Sequence, residues 1–125
     1  MPLFNSDASY QANKALLEGV YSGLEAGVSN IANRSTPNYE RVCVTPDFKE
    51  NLSKALRSGK GQVQLPMPNI VKDTSPLRKN AMGNNVDLEK ELIDMKELGM
   101  KQQYFTFCLG NTIKQIQAAA SGRGV

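Results

Sequence analysis

Few residues in this chain could do chemistry, and their types narrow the choice at once. There is no histidine among the 125 residues, which removes the commonest general base, the commonest metal ligand and every Ser-His or Cys-His nucleophile arrangement. The remaining carboxylates and lysines need burial to act as bases, and a chain this short scarcely supplies it. Cys43 and Cys108 are too far apart in sequence for a CxxC redox pair or a zinc site, so they read as two small apolar residues or as a disulfide pair. Lys54, Arg57, Lys60, Arg78 and Lys79 would suit phosphate contacts, but no aromatic platform accompanies them, and a solvated face with a basic loop accounts for them. The expectation is a protein with no catalytic residue, cofactor, metal, small-molecule substrate or nucleic acid partner.

The distinctive polar residues are amides. The stretch SNIANRSTPNY, residues 29–39, follows an apolar run with helical spacing. A helix ending near Asn33 leaves its last carbonyls unpaired, and Asn is the residue after Gly that best tolerates the left-handed conformation closing a helix. Asn30 and Asn33 are three apart and share a face. Thr36, Pro37, Asn38 and Tyr39 read as a type II turn, with Pro fixing φ at the second position and Asn taking the positive φ of the third. Amides on a packing helix are costly unless satisfied, so they point to specific hydrogen bonding, either within this turn or across a subunit boundary.

The elements that must position these amides are mainly helical. From about Gln11 to Asn33, Leu17, Leu24 and Ile31 recur every seven residues, with Val20, Tyr21 and Val28 on the same stripe, which predicts an amphipathic helix. Glycines at 19, 23 and 27 line one ridge and invite close approach by another backbone. In the middle, Thr45 is placed to cap a short helix with Pro46 at its first position, Phe48, Leu52 and Leu56 on one face and Gly59 as a stop. GQVQLPMPN then alternates Val63, Leu65 and Met67, the pattern of a short edge strand or extended loop. From Asp87, a suitable N-cap, to about Ala120 a second long helix is predicted. Its seam of Leu92, Met95, Gly99, Gln102, Thr106, Leu109, Ile113 and Ile116 steps by threes and fours. Met100, Tyr104, Phe105 and Phe107 spread apolar surface around its other faces.

The expected organisation is therefore mainly α. Residues 1–33 and 86–125 form two terminal helices that pack as an antiparallel, coiled-coil-like pair, and residues 34–85 form a loop-rich middle. The net charge of +3 is spread through the chain rather than gathered in a block. No basic segment followed by a long apolar block suggests a cleavable signal, and no apolar run is long enough to span a bilayer.

Two stretches carry a resemblance. SNIANRSTPNY resembles the NIANxxTPGY signature near the N-termini of the flagellar axial proteins of rod and hook, and GNNVDLEKELIDM resembles the GNxVDxxxEM start of their C-terminal helix. Asn38 stands where the family usually has Gly, Arg34 where Ala is common and Leu92 where Met is common. Chain length and an ending unlike RAYQAN are most similar to the proximal rod group, the FlgB type. An FlgC-type rod subunit and a small monomeric helical adaptor are the alternatives.

The resemblance implies a non-enzymatic subunit of the basal-body rod, lying in the periplasmic space and self-assembling helically through its terminal helices. It implies export without a cleaved signal by the flagellar type III apparatus. The implied partners are itself, other rod proteins, and the MS-ring and rod-adaptor proteins at the rod base. The residues it marks for the assembly interface are Leu17, Leu24, Asn30, Ile31, Asn33, Thr36, Pro37 and Tyr39 at one end. At the other they are Val86, Asp87, Leu92, Met95, Leu109, Ile113 and Ile116.

Overall fold

A computed structural model describes residues 2–58 and 64–122. Five elements follow in chain order: α1 (Pro2–Ala32), β1 (Val42–Val44), α2 (Phe48–Arg57), β2 (Ile70–Lys72) and α3 (Leu88–Ala120). The fold is mainly helical, and the two long helices, of 31 and 33 residues, pack against each other. They run antiparallel, because Gly23 of α1 meets Leu98 of α3 and, further along α1, Gly27 meets Met95, nearer the start of α3.

α1 begins well before Gln11. Pro2 needs no helical donor in a first turn, and a nucleated helix elongates at one hydrogen bond per residue fixed, so Asp7 and Ser9 do not stop it. The ridge of glycines receives side chains rather than a second backbone. A β-carbon at Gly19 would stand 2.6 Å from Phe48, one at Gly23 2.9 Å from Leu98 and one at Gly27 2.9 Å from Met95. Three bulky residues from α2 and α3 thus key into the smooth face of α1.

α2 starts at Phe48, two residues later than Pro46 at a first helical position would give. Thr45 is engaged elsewhere: its N–H and its hydroxyl both donate to the Asn69 carbonyl, at 2.7 and 3.0 Å, and so it prolongs the sheet instead of capping the helix. Asp47 holds the N-cap position without a side-chain cap. Gly59 and Val63 lie outside the described residues, and Leu65 and Met67 are in irregular chain. The extended pairing occurs instead between β1 and β2, antiparallel, with Val42 opposite Lys72 and Val44 opposite Ile70.

The core is small. Ala15, Leu17, Val20 and Ala26 of α1 are buried with Phe48 and Leu52 of α2, while the buried residues of α3 are Glu91 and Thr112. No apolar side chain of α3 is fully covered among the described residues. Its seam is also displaced from the expected one. Met95, Gln102, Leu109 and Ile116 are half-buried as anticipated, but the alternate positions are Glu91, Leu98, Phe105 and Thr112, each one residue earlier than Leu92, Gly99, Thr106 and Ile113. The glycine ridge decides this: Leu98 needs a recess on α1, Gly23 supplies it, and the helix rotates accordingly. Cys43 and Cys108 are free thiols, both half-buried, which leaves them as small apolar residues. Burial pushes the Cys43 thiol above its ordinary value, with the charge of Asp73 adding to it.

Candidate assembly interface

The two motifs at the ends of the long helices meet in space. Asn84 of GNN is buried, and its Nδ2 donates to the carbonyls of Asn33 (2.8 Å) and Thr36 (2.9 Å) while its Oδ1 accepts from the Val86 N–H at 2.8 Å. One amide therefore ties off the C-terminus of α1 and opens the approach to α3. The chain around it is kept compact by Asn80, whose Oδ1 accepts from the N–H groups of Met82 and Asn84. Asn38 sits in the turn between, with φ of 59° and the expected bond from the Tyr39 N–H to the Thr36 carbonyl at 3.3 Å. Its own N–H donates to the Met82 carbonyl at 2.8 Å.

Asn30 has no exposed surface. Its Oδ1 accepts from the Val42 N–H (2.9 Å) and from the Tyr39 hydroxyl (3.1 Å), and its Nδ2 donates to the Val42 carbonyl at 2.8 Å. Asn33 closes its own helix, donating to the Ser29 carbonyl at 2.8 Å and accepting from the Thr36 hydroxyl at 3.1 Å. Asn30 and Asn33 both find hydrogen-bond partners within the chain. Among the described residues no buried side-chain nitrogen or oxygen lacks a partner.

An ionic clamp lies beside the amides. Arg41 Nε donates to Glu91, Nη1 donates to Asp73 Oδ2 at 2.7 Å, and Nη2 lies 3.8 Å from Asp94 Oδ2. The Arg41 N–H also donates to Asn85 Oδ1 at 2.7 Å. Burial opposes the charge on Arg41, but the hydrogen bonds and charges of Glu91 and Asp73 outweigh it and hold the guanidinium above its ordinary pKa. Asp73 moves the other way. Burial alone would raise it, yet hydrogen bonds from Ser75 and the pairing with Arg41 leave it below the ordinary carboxylate value. With Glu91 only 2% exposed, the pair would be costly if broken, and it fastens the loop before β1 and the chain after β2 to the start of α3.

The residues marked by the resemblance divide into three sets. Leu17 is buried, Met95 fills the hollow at Gly27, Asn30, Asn33 and Tyr39 are tied into the turn, and Asp87 caps α3 by accepting from the Lys90 N–H. Leu24, Ile31, Val86, Leu109 and Ile116 are half-buried. Thr36, Pro37, Leu92 and Ile113 are exposed. Sequence reasoning missed Arg41, Asp73 and Glu91, for nothing in their local context announces a contact spanning 50 residues.

The outer face of α3 carries the other feature. Ile93, Met100, Tyr104 and Phe107 are 66, 64, 63 and 67% exposed. Their steps of seven, four and three align them within about 60° of one another, on the side of α3 turned away from α1. A groove of about 670 Å³ opens elsewhere, between α1, α2 and α3, with Phe48, Leu52, Leu56, Leu98 and Phe105 among its lining. No group of three or more histidine, cysteine, aspartate or glutamate side chains is arranged to hold a metal among the described residues, and no described helix is long and apolar enough to cross a membrane. No protein-family model matches the chain, and no curated protein matches it either.

Proposed function

We propose that the chain is a structural subunit of the bacterial flagellar rod, of the proximal FlgB type, polymerising with copies of itself and other axial proteins into the helical rod that transmits motor torque. The observation that carries this reading is the uncovered face of α3, where four large apolar side chains in helical register stay about two-thirds exposed. Such a stripe on a small protein marks a surface for a partner. The two stretches that resemble the axial-protein signatures support the same reading, because they form one hydrogen-bonded knot holding both long helices together. On this reading the protein is not an enzyme and needs no cofactor. It reaches the basal body through the type III apparatus without a cleaved signal, and its partners are other rod subunits and the MS-ring and adaptor proteins at the rod base.

The test is the composition of purified hook–basal bodies from the source bacterium. Mass spectrometry should find the chain in the rod fraction, and deleting its gene should abolish swimming. Normal swimming in the deletion strain, or basal bodies without the chain, would overturn the assignment. A monomeric helical adaptor remains the second reading, favoured by the way Phe48, Leu98 and Met95 fill the glycine ridge from within the same chain. Sedimentation separates the two: an adaptor keeps a constant mass as concentration rises, and a rod subunit does not.

A further inference from the structure

We propose that the exposed α3 stripe of one copy seats in the α1/α2/α3 groove of the next, a head-to-tail contact between two different surfaces of the same chain. This deepens the assembly reading and rests on it. The stripe has the form of a groove ligand: Met100, Tyr104 and Phe107 fall at i, i+4 and i+7, the spacing by which an amphipathic helix anchors in an apolar channel. Ile93 extends the row by two turns. The groove has the form of the receptor, since its lining is apolar on the α2 wall (Leu52, Leu56) and on the α3 wall (Leu98, Phe105).

The two surfaces cannot meet within one molecule. Counting about 100° per residue, the stripe is centred roughly 130° round α3 from the face that borders the groove. Copies joined this way expose a fresh stripe at one end and a fresh groove at the other, so the contact propagates unless its rotation closes a ring. Two stripes pressed together would leave both grooves wet, whereas a seated stripe covers both apolar surfaces at once.

The area is sufficient for a reversible contact. An aromatic side chain buries roughly 150–250 Å² when fully covered, so Tyr104 and Phe107 at two-thirds exposure offer on the order of 200–300 Å², to which Ile93 and Met100 add. Their flanks raise that toward the ~800 Å² per partner of a standard interface.

The experiment uses complementary defects in the whole chain. Phe107→Glu spoils the stripe and leaves the groove, and Leu56→Glu, at a residue 38% exposed, spoils the groove and leaves the stripe. Sedimentation equilibrium and light scattering should find the wild-type chain growing beyond a dimer as concentration rises. Each variant alone should remain monomeric, with association weakened by more than about a hundredfold, because a charge would be desolvated without a partner. An equimolar mixture should form one-to-one pairs and nothing larger, each joining the stripe of the Leu56→Glu chain to the groove of the Phe107→Glu chain. Leu56→Met should assemble normally, and circular dichroism should show all variants as helical as wild type.

A mixture that stays monomeric while wild type assembles would overturn the proposal. So would wild-type-like assembly of Leu56→Glu, which would mean stripe meets stripe, or a wild type that stops at a closed dimer. Both leave the assembly reading standing. A wild-type chain that stays monomeric at every concentration would remove that reading as well.

Discussion

The side chain of Asn30 pairs with the backbone of Val42 as a neighbouring strand would, accepting from its N–H at 2.9 Å and donating to its carbonyl at 2.8 Å. The last full turn of α1 thereby acts as an edge partner for β1, adding hydrogen bonds to the apolar contact that Val44 of β1 makes with the cluster of Ala15, Phe48 and Leu52. Asn30→Ala should remove both bonds and leave the half-buried N–H and carbonyl of Val42 without this partner, while the Tyr39 hydroxyl keeps Ser29 Oγ at 3.2 Å. A loss of about 2–4 kcal/mol is expected by chemical denaturation. Asn30→Asp should lie close to this, because a carboxylate accepts from the Val42 N–H but repels its carbonyl. A cost below about 0.5 kcal/mol would mean that water replaces the amide.

The turn at Asn38 makes a second prediction. With φ at 59° this residue is in the left-handed region, which a β-branched side chain disfavours. Asn38→Gly should change stability by no more than about 0.5 kcal/mol and Asn38→Val should cost about 1–2 kcal/mol. The neighbour on the other strand of the knot is Gly83, with φ of 74°, where a β-carbon would stand 2.5 Å from Asn38 Oδ1. Gly83→Ala should therefore be harmful by itself and less so in the Asn38→Gly background, which removes the clash but not the strained φ. Thermal melts of the two single variants and the double variant decide it.

Much of the fold was legible in the sequence. The three- and four-residue spacing of apolar side chains marked both long helices, and Asp87 capped α3 where it stood in the sequence. Asn38 took the φ its turn required. The failures share one physical cause, which is that pairing across the chain does not appear in local pattern. Thr45 looked like a cap until Asn69, 24 residues away, claimed its hydroxyl. The α3 seam was read one position off at every other site because its rotation is set by which residue drops into Gly23. Amides at Asn30 and Asn33 were recognised as demanding partners, but the sequence could not show that Val42 and Asn84 provide them. Among the candidate interface residues, periodicity selected Leu17 and Leu92 equally, and only the packed pair separates the buried one from the exposed one.

Keying of α3 into the glycine ridge can be measured as a coupling. Gly23→Leu should cost about 1–3 kcal/mol through overpacking against Leu98, and Leu98→Ala about 2–3 kcal/mol through lost contact. Combined, the new leucine occupies the space vacated by the old one. The double variant should be less harmed than the sum of the singles by at least about 0.5 kcal/mol. Strict additivity in urea unfolding would indicate that the two residues do not share a site.

The Arg41 clamp makes stability depend on acid. Asp73 has its pKa below the ordinary value of 3.8 in the folded chain, so as pH drops the unfolded chain takes up a proton at this group before the folded one does. Its stabilising contribution is thus complete above the ordinary value and disappears as pH falls through the depressed one. Asp73→Asn should be less stable than wild type at neutral pH, and the difference should shrink progressively below about pH 4. Urea unfolding of both chains across that range provides the check. A difference that stays constant into strong acid would show that Asp73 contributes by shape and neutral hydrogen bonding, not by charge.

Thr112 and Ile113 are adjacent on α3 and should respond oppositely to the same change. Thr112 is 6% exposed, with its hydroxyl donating to the Cys108 carbonyl at 3.0 Å, whereas Ile113 is 39% exposed. An aspartate at position 112 would be desolvated inside the chain, and Thr112→Asp should cost several kcal/mol and lower the helix content of the isolated protein. Ile113→Asp keeps its charge in water while the subunit is alone, so its melting temperature should stay within a few degrees of wild type, in line with about 0.5 kcal/mol for exposed sites. In an assembled rod that position would be desolvated only if a neighbouring subunit covers it. If the chain is the rod subunit proposed above, secretion should survive in both strains, because export would handle an unfolded chain, and completed rods should be lost in the Ile113→Asp strain even though its subunit folds. Normal rods and swimming in that strain would place Ile113 on an outward-facing surface. Failure of export itself would move the defect to a step before assembly.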